Sequence, residues 1–176
     1  MATWAYTRAG DGGQSTLFGK KLPKTAIEFE AFGALDELNA FLGFCKIACS
    51  AKVKTILEKI QRELFILGSD LATPLNRKTE RISEKHIKEM ERTIDELVQE
   101  LPPIKHFVIP GGSEGSARLQ ITRAVARRAE RRVLMLRAKR KINPQIVPYL
   151  NRLSSLLFVL ARYENINSKT KEEFWP

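Results

Sequence analysis

Two stretches of this chain bring together residue types that bind phosphate. The first is Thr7-Arg8-Ala9-Gly10-Asp11-Gly12-Gly13-Gln14-Ser15-Thr16, followed by Lys20, Lys21 and Lys24. Glycines let consecutive N–H groups converge on one oxygen, hydroxyls donate to the same oxygens, and lysines neutralise the charge. Taken alone, the glycines also suit an ordinary flexible loop. No Gly-Lys-Ser/Thr follows a strand, so the segment is not a P-loop. The second stretch carries Arg118, Arg123, Arg127, Arg128, Arg131, Arg132, Arg137, Lys139, Arg140 and Lys141, against only Glu114 and Glu130. At about 100° per residue, Arg123, Arg127, Glu130 and Arg131 share one helical stripe, while Arg128 and Arg132 lie on another side. The planar guanidinium forms paired bonds to phosphate oxygens, so this stripe could clamp a polyphosphate, with Glu130 orienting an arginine or holding a metal-bound water. A solvated helix face or a nucleic-acid stripe would look the same.

Two polar residues stand out beside apolar stripes. Asp36, in Gly33-Ala34-Leu35-Asp36-Glu37-Leu38-Asn39, lies at the edge of an inward face and calls for a cation; Arg123 is the expected partner, and plain exposure is the alternative. Asn151 shares a stripe with Ser155, Phe158 and Arg162 and could bond a base or ribose, or serve as a polar bundle residue. Metal and nucleophile patterns are missing. His86 and His106 are the only histidines, the cysteines lack zinc spacing, and no serine has an evident histidine partner. His86, near a helix start, reads as structural. Mg²⁺ held mainly by the phosphates of a nucleotide stays compatible with this residue set.

Helices must position these groups. Leu35, Leu38, Leu42, Cys45 and Cys49 step by three and four, predicting a helix from Ala26 to Cys49. Val53, Leu57, Ile60, Leu64, Leu67 and Leu71 predict a second, ended by Thr73-Pro74. A third carries Ile87, Met90, Ile94, Leu97 and Leu101, with Ser83 as N-cap and Pro102-Pro103 as stop. The fourth spans Glu114 to Lys139, with Thr122, Ala126, Ala129, Val133 and Leu136 inward. The fifth starts at Asn143-Pro144 or Pro148 and turns Leu150, Leu153, Leu157 and Leu160 inward. Phe107 to Gly112 reads as an ordered apolar loop. No strand alternation of useful length is visible, so the expected fold is all-α: a five-helix up-and-down bundle (26–165), preceded by a Gly-rich loop (1–25) and followed by a tail (166–176) in one domain. The aromatic pair Phe174 and Trp175 in that tail should dock on the bundle or on a neighbouring subunit.

The chain has 176 residues, 43% of them hydrophobic and 28% charged, which suits a globular domain rather than a disordered chain or a membrane span. Its 30 Lys and Arg exceed 20 Asp and Glu, giving a net charge of +10. An excess of that size points to anionic partners. Cys45 and Cys49 read as reduced, packed thiols on one helix face, and the first six residues lack a signal or transit pattern, so a cytoplasmic location is expected.

Three separated blocks resemble the PduO-type ATP:cob(I)alamin adenosyltransferases. They are Tyr6 to Ser15, Gly33 to Asn39, and Arg123 to Arg132 with Tyr149-Leu150-Asn151-Arg152-Leu153-Ser154 after it. Phe107 to Gly112 and the spacing between blocks extend the likeness over nearly the whole chain. The resemblance implies a homotrimer of five-helix bundles with sites between adjacent subunits. It also implies transfer of the 5′-deoxyadenosyl group of ATP, bound with Mg²⁺, to reduced cobalamin with release of triphosphate.

By that resemblance, Thr7, Arg8, Ala9, Gly10, Ser15, Thr16 and Lys24 cradle the phosphates, and Arg127, Arg128, Ala129, Glu130, Arg131 and Asn151 complete the nucleotide site. Asp36 and Arg123 form an ion pair between subunits or beside the site, and Phe107 occupies the lower axial face of the corrinoid. Arg127, Asp36, Arg123 and Phe107 are the residues expected to serve the chemistry itself. An electron-donating reductase and an adenosylcobalamin-dependent enzyme are implied as partners, with no membrane or nucleic acid. Two positions depart from the family pattern: Ser15 where threonine is frequent, and Ser155 where an acid is common. A corrinoid carrier without catalysis is the alternative that Ser155 raises, and a basic nucleic-acid-binding bundle is the alternative raised by the arginine helix.

Overall fold

Five runs of helical apolar spacing become five helices in the computed structural model, which describes residues 6–17 and 19–176. They are α1 (Ile27–Lys46), α2 (Ala51–Ala72), α3 (Glu84–Gln99), α4 (Glu114–Arg137) and α5 (Ile146–Asn167). Each stops where local chemistry says it should. Thr73 caps α2 ahead of Pro74. Ser83 and His86 form a capping box on α3, the Ser83 N–H donating to His86 Nδ1 at 3.1 Å, so His86 is structural, with its ring proton on Nε2. On α4 the Ser113 hydroxyl accepts from the Ser116 N–H at 3.2 Å. Helix α5 begins at Ile146, between the two expected starts, and holds Pro148 in its first turn, where a missing N–H leaves no intrahelical bond unmade.

The helices run alternately up and down. Lys46 meets Glu58, Arg128 meets Glu37, and Asn151 meets Glu130, so α1 is antiparallel to α2 and α4, and α4 to α5. Arg152 with Glu91 sets α5 alongside α3. Around the core the order is therefore α2, α1, α4, α5, α3, with α2 and α3 joined through Lys59–Glu89 and Lys52–Glu100 at 2.8 and 2.5 Å. The most extensive packing is between α4 and α5, then between α1 and α4. The predicted inward residues Leu38, Leu42, Leu57, Leu67, Ala126, Ala129, Val133, Leu136, Leu150, Leu153, Leu157 and Leu160 are all fully buried.

The expected five-helix fold holds, but the segment before α1 is more than a Gly-rich loop: it carries a small hairpin in which β1 (Gln14–Leu17) and β2 (Lys20–Pro23) pair antiparallel, Ser15 opposite Leu22 and Thr16 opposite Lys21. Strands of four residues show too little alternation to be read from the pattern. Gly19, at φ +75°, supplies the left-handed conformation in their two-residue turn. The reading of the amino-terminal hexapeptide falls mostly on residues 1–5, outside the described residues.

Buried polar links lock the bundle ends. The Asp70 carboxylate accepts from the Arg81 guanidinium, from the Ile82 N–H at 3.1 Å and from Asn143 Nδ2 at 2.6 Å, tying α2 to both following connections. Tyr149 donates to Glu63 at 2.7 Å, and burial together with that carboxylate raises the phenol well above its ordinary pKa. Removing one partner of a buried pair strands the other charge, so Arg81→Ala should lower unfolding free energy by about 3 kcal/mol in urea titrations. A loss under 1 kcal/mol would show the pair to be dispensable.

Burial, then Glu164 and Cys45, push the Cys49 thiol from about 9 up to about 12. A group held protonated by the fold adds stability below its unfolded pKa and loses it as pH rises through the folded value. Stability should thus decline between about pH 9 and 12, and Cys49 should resist iodoacetamide at pH 8 until the protein is unfolded.

Candidate functional site

The glycine-rich segment folds back on itself. Asp11 N–H bonds Arg8 C=O at 3.2 Å, Gly13 N–H bonds Gly10 C=O at 3.2 Å, and Lys24 N–H returns to Gly13 C=O at 2.8 Å. Arg8 sits at φ +58°, unusual for a residue with a side chain. Its guanidinium lies 5.4 Å from the centre of the Tyr6 ring. At Gly10 a Cβ would come within 2.9 Å of Lys24 Nζ, so the bare backbone there lets the ammonium lie against the turn. Ala9, Gly12, Gln14, Ser15, Thr16 and Lys21 line a cavity of about 220 Å³ beside it. Thr7 accepts from Ala9 N–H at a long 3.4 Å. Of the predicted cradle residues, Ala9, Ser15 and Thr16 line this cavity and Lys24 lies against Gly10, while Lys21 enters it opposite Thr16 by strand register.

Helix α4 divides its arginines by face. Arg128 pairs with Glu37 at 2.6 Å and Arg132 with Glu30 at 3.5 Å, both carboxylates on α1, around a cleft of about 250 Å³ that Gly33 and Ala34 also line. Arg127 and Arg131 are exposed and have no carboxylate within ion-pair distance among the described residues. Glu130 accepts from Asn151 Nδ2 at 3.1 Å rather than orienting an arginine. Ala129 is fully buried, so its side chain serves the packing of α4 and does not face solvent.

Arg123 turns the other way. It donates from Nε to Gln120 Oε1 at 2.8 Å and lines a groove of about 560 Å³ with Phe107, Val108, Phe158 and Trp175. Partial burial, then the neighbouring Arg127 charge, lower its pKa. Phe107 projects into solvent, 84% exposed. The expected Asp36–Arg123 pair does not form within the chain: Asp36 lies exposed in a separate cleft between α1 and α2, with Phe32, Asn39, Phe65 and Ser69. The two residues project from different helices into different openings, so the sequence spacing that suggested the pair could not reveal its absence.

The loop bearing Phe107 is held from both sides. Asn165 accepts from Ser113 N–H at 2.9 Å and packs so tightly on Gly112 that a Cβ there would fall 2.3 Å from Asn165 Oδ1. Gly112 also sits at φ +95°, so only glycine suits the position. The tail supplies the other side. Ile109 N–H bonds Glu173 C=O and Trp175 N–H bonds Phe107 C=O, each at 2.8 Å, and Val108 bridges Phe174. Glu172 anchors this strap through Arg162 at 2.8 to 3.0 Å, a pair only 6% and 4% exposed. The tail backbone is therefore paired with the loop of its own chain, while the Phe174 and Trp175 side chains stay 41% and 65% exposed. Sequence reading missed Gln120, Asn165 and Glu172; the aromatic pair beside an acid in a polar tail was the one signal available for the last.

No group of three or more metal-ligating side chains occurs among the described residues, and no helix there is long and apolar enough to cross a membrane. With this geometry in place, likeness to known proteins is informative. The corrinoid adenosyltransferase of Bacillus subtilis is 39% identical over 93% of this chain and 87% of its own length. The corrinoid adenosyltransferase PduO of Salmonella typhimurium is 40% identical over 91% of the chain, which spans about half of that longer relative (49%). A phenylalanine-to-histidine variant of the PduO-type ATP:corrinoid adenosyltransferase from Lactobacillus reuteri, complexed with cobalamin and ATP, superposes with a TM-score of 0.90 at 33% identity, covering 97% of this chain and 96% of that one. Residues 5–164 match the family described as cobalamin adenosyltransferase, and with relatives this similar along most of its length the chain belongs to the cobalamin adenosyltransferase family.

Proposed function

We infer that this protein is an ATP:cob(I)alamin adenosyltransferase, moving the 5′-deoxyadenosyl group of ATP to the cobalt of reduced cobalamin. The observation that carries the reading is the division of α4: unpaired Arg127 and Arg131 on one exposed stretch, and Arg123 one turn away in the groove under Phe107. One helix thus links a cationic surface suited to a polyphosphate with an apolar opening suited to a large ring.

The chemistry asks little else of the protein. Cobalt(I) supplies the electron pair that forms the cobalt–carbon bond at C5′, the C5′–O bond breaks, and its electrons leave on triphosphate. No activated side chain is needed. Rate then depends on aligning cobalt, C5′ and the leaving oxygen, and on opposing the charge that grows on the leaving group. Thr7 to Gly10, Ser15, Thr16, Lys21 and Lys24 hold the phosphates, while Arg127, Arg131 and Asn151 bind the nucleotide, with Glu130 fixing the Asn151 amide. Mg²⁺ rides on the phosphates, in keeping with a residue set that offers no protein cage. Phe107 excludes a lower axial ligand, leaving cobalt(II) four-coordinate and easier to reduce, and the surrounding apolar wall keeps water from the reduced metal.

The complete site lies between copies of the chain in a homotrimer. Three observations support this: the β1–β2 hairpin packs extensively on no helix, Asp36 and Arg123 lack charged partners within one chain, and Phe65 and Ile121 stand 74% and 52% exposed. A neighbouring copy would supply Asp36 to Arg123. The enzyme works in the cytoplasm, taking electrons from a reductase and passing its product to an adenosylcobalamin-dependent enzyme.

Anaerobic incubation with chemically reduced cobalamin and Mg-ATP should give a light-sensitive alkylcobalamin spectrum and free triphosphate. Cobalamin binding without conversion would favour a carrier instead. Arg127→Ala should cut transfer by roughly a hundredfold or more while leaving helicity unchanged, as expected for a lost contact to developing charge; an unaltered rate would remove the arginine clamp. Phe107→Ala should slow the reduction of bound cobalt(II) far more than transfer from prereduced cobalt(I), and equal effects on both would contradict the axial role.

A further inference from the structure

A second cationic opening lies at the end of the bundle where α4 runs into α5. Arg137, Lys139, Arg140 and Lys141 surround a pocket of about 470 Å³ whose floor is Leu75, Ile142 and other apolar groups. Its position separates it from the groove and the exposed arginines of α4. Arg137 is fourteen residues past Arg123, about 21 Å along the helix, and stands about 120° around the axis from Arg131.

Cations at the C-terminal end of a helix complement its dipole, which accounts for Arg137. The same effect covers Arg140 at the end of α2, and leaves Lys139 and Lys141 unexplained. Arg140 reaches across to α2, where its Nη2 bonds Leu71 C=O at 2.5 Å. Its Nε is buried without a hydrogen-bond partner, an arrangement that native proteins rarely leave unexplained. The guanidinium is therefore fixed at one edge while it lines the pocket. None of the four cations has a carboxylate within ion-pair distance among the described residues, whereas Arg81, Arg152 and Arg162 elsewhere in the fold are all paired. Leu75, 48% exposed, gives the opening an apolar side that a purely solvated charge cluster would not need.

We propose that this pocket is a second ligand site, which takes a small organic anion: a phosphate or carboxylate head held by Arg140 and the two lysines, with an apolar or planar body against Leu75 and Ile142. Its volume falls in the range of small-molecule sites, and the apolar side chains beside the cations give a ligand body something to rest on. The site is independent of the adenosyl-transfer reading, because none of its residues belongs to that machinery.

The test is a fluorescence titration with 1-naphthyl phosphate and, separately, 1-naphthoate, on the wild-type protein and on Lys139→Glu/Lys141→Glu, with Arg140 Nε–H followed by NMR. Saturable binding of either probe, a shifted Arg140 signal and at least tenfold weaker binding in the double variant would establish the site, the preferred probe telling phosphate from carboxylate. Helicity and adenosyl transfer measured in parallel should match wild type. Equal binding by both proteins, an unmoved Arg140 signal or no binding would overturn the proposal. It would also fail if a 20-nucleotide single strand bound through these lysines while neither naphthyl probe did.

Discussion

The structure depends on α4 being buried on one side and arginine-bearing on the other. Thr122, Ala126 and Ala129 are small enough to bring the middle of α4 close to α1 and α5, while Leu119, Val133 and Leu136 fill the core toward its two ends. A helix so wedged has few remaining directions for its long side chains. Its arginines divide into those that reach acids on α1, those that face outward unpaired, and Arg123, which turns toward Gln120 and the groove. Register along one helix therefore decides which guanidinium is structural and which is available to a substrate.

The same economy governs the polar atoms elsewhere. Carboxylates that enter the interior meet donors from another part of the chain: Asp70 from two connections, Glu63 from α5, Glu164 from the Ser50 backbone and hydroxyl at 3.0 and 2.6 Å. Each joins segments distant in sequence, and so fixes the relative height of helices that leucine packing alone would let slide. Cys45 belongs to this set, its sulfur 3.0 Å from the Thr122 hydroxyl across the α1–α4 contact.

Most of the bundle was legible because leucines spaced by three and four can satisfy only a helix buried along one stripe, and because serines and prolines mark its ends. The turn at residues 7–16 stood out as composition, a cluster of glycine, hydroxyl and lysine that suits either a phosphate cradle or an ordinary loop. What could not be read were arrangements that depend on three-dimensional register. Lys21 joins the cradle only because Thr16 lies opposite it in a hairpin too short to show alternation. Asp36 and Arg123 were marked as partners, yet spacing within one chain says nothing about which opening each enters: Asp36 is exposed in one and Arg123 bonds Gln120 at another. Gln120 and Asn165 look like ordinary helix residues until the loop they hold is folded against them.

The strap that joins residues 173–175 to 107–109 has a bearing on motion. Its hydrogen bonds and its single buried ion pair are separate from the helix–helix contacts, so it can unzip while the five helices stay intact. Phe107 and Trp175 would then part together, widening the groove by a movement of loop and tail alone. The entrance for a ligand as large as a corrinoid thus has its own local stability, lower than that of the bundle, and a ligand that bridges loop and tail would raise it without altering the fold beneath.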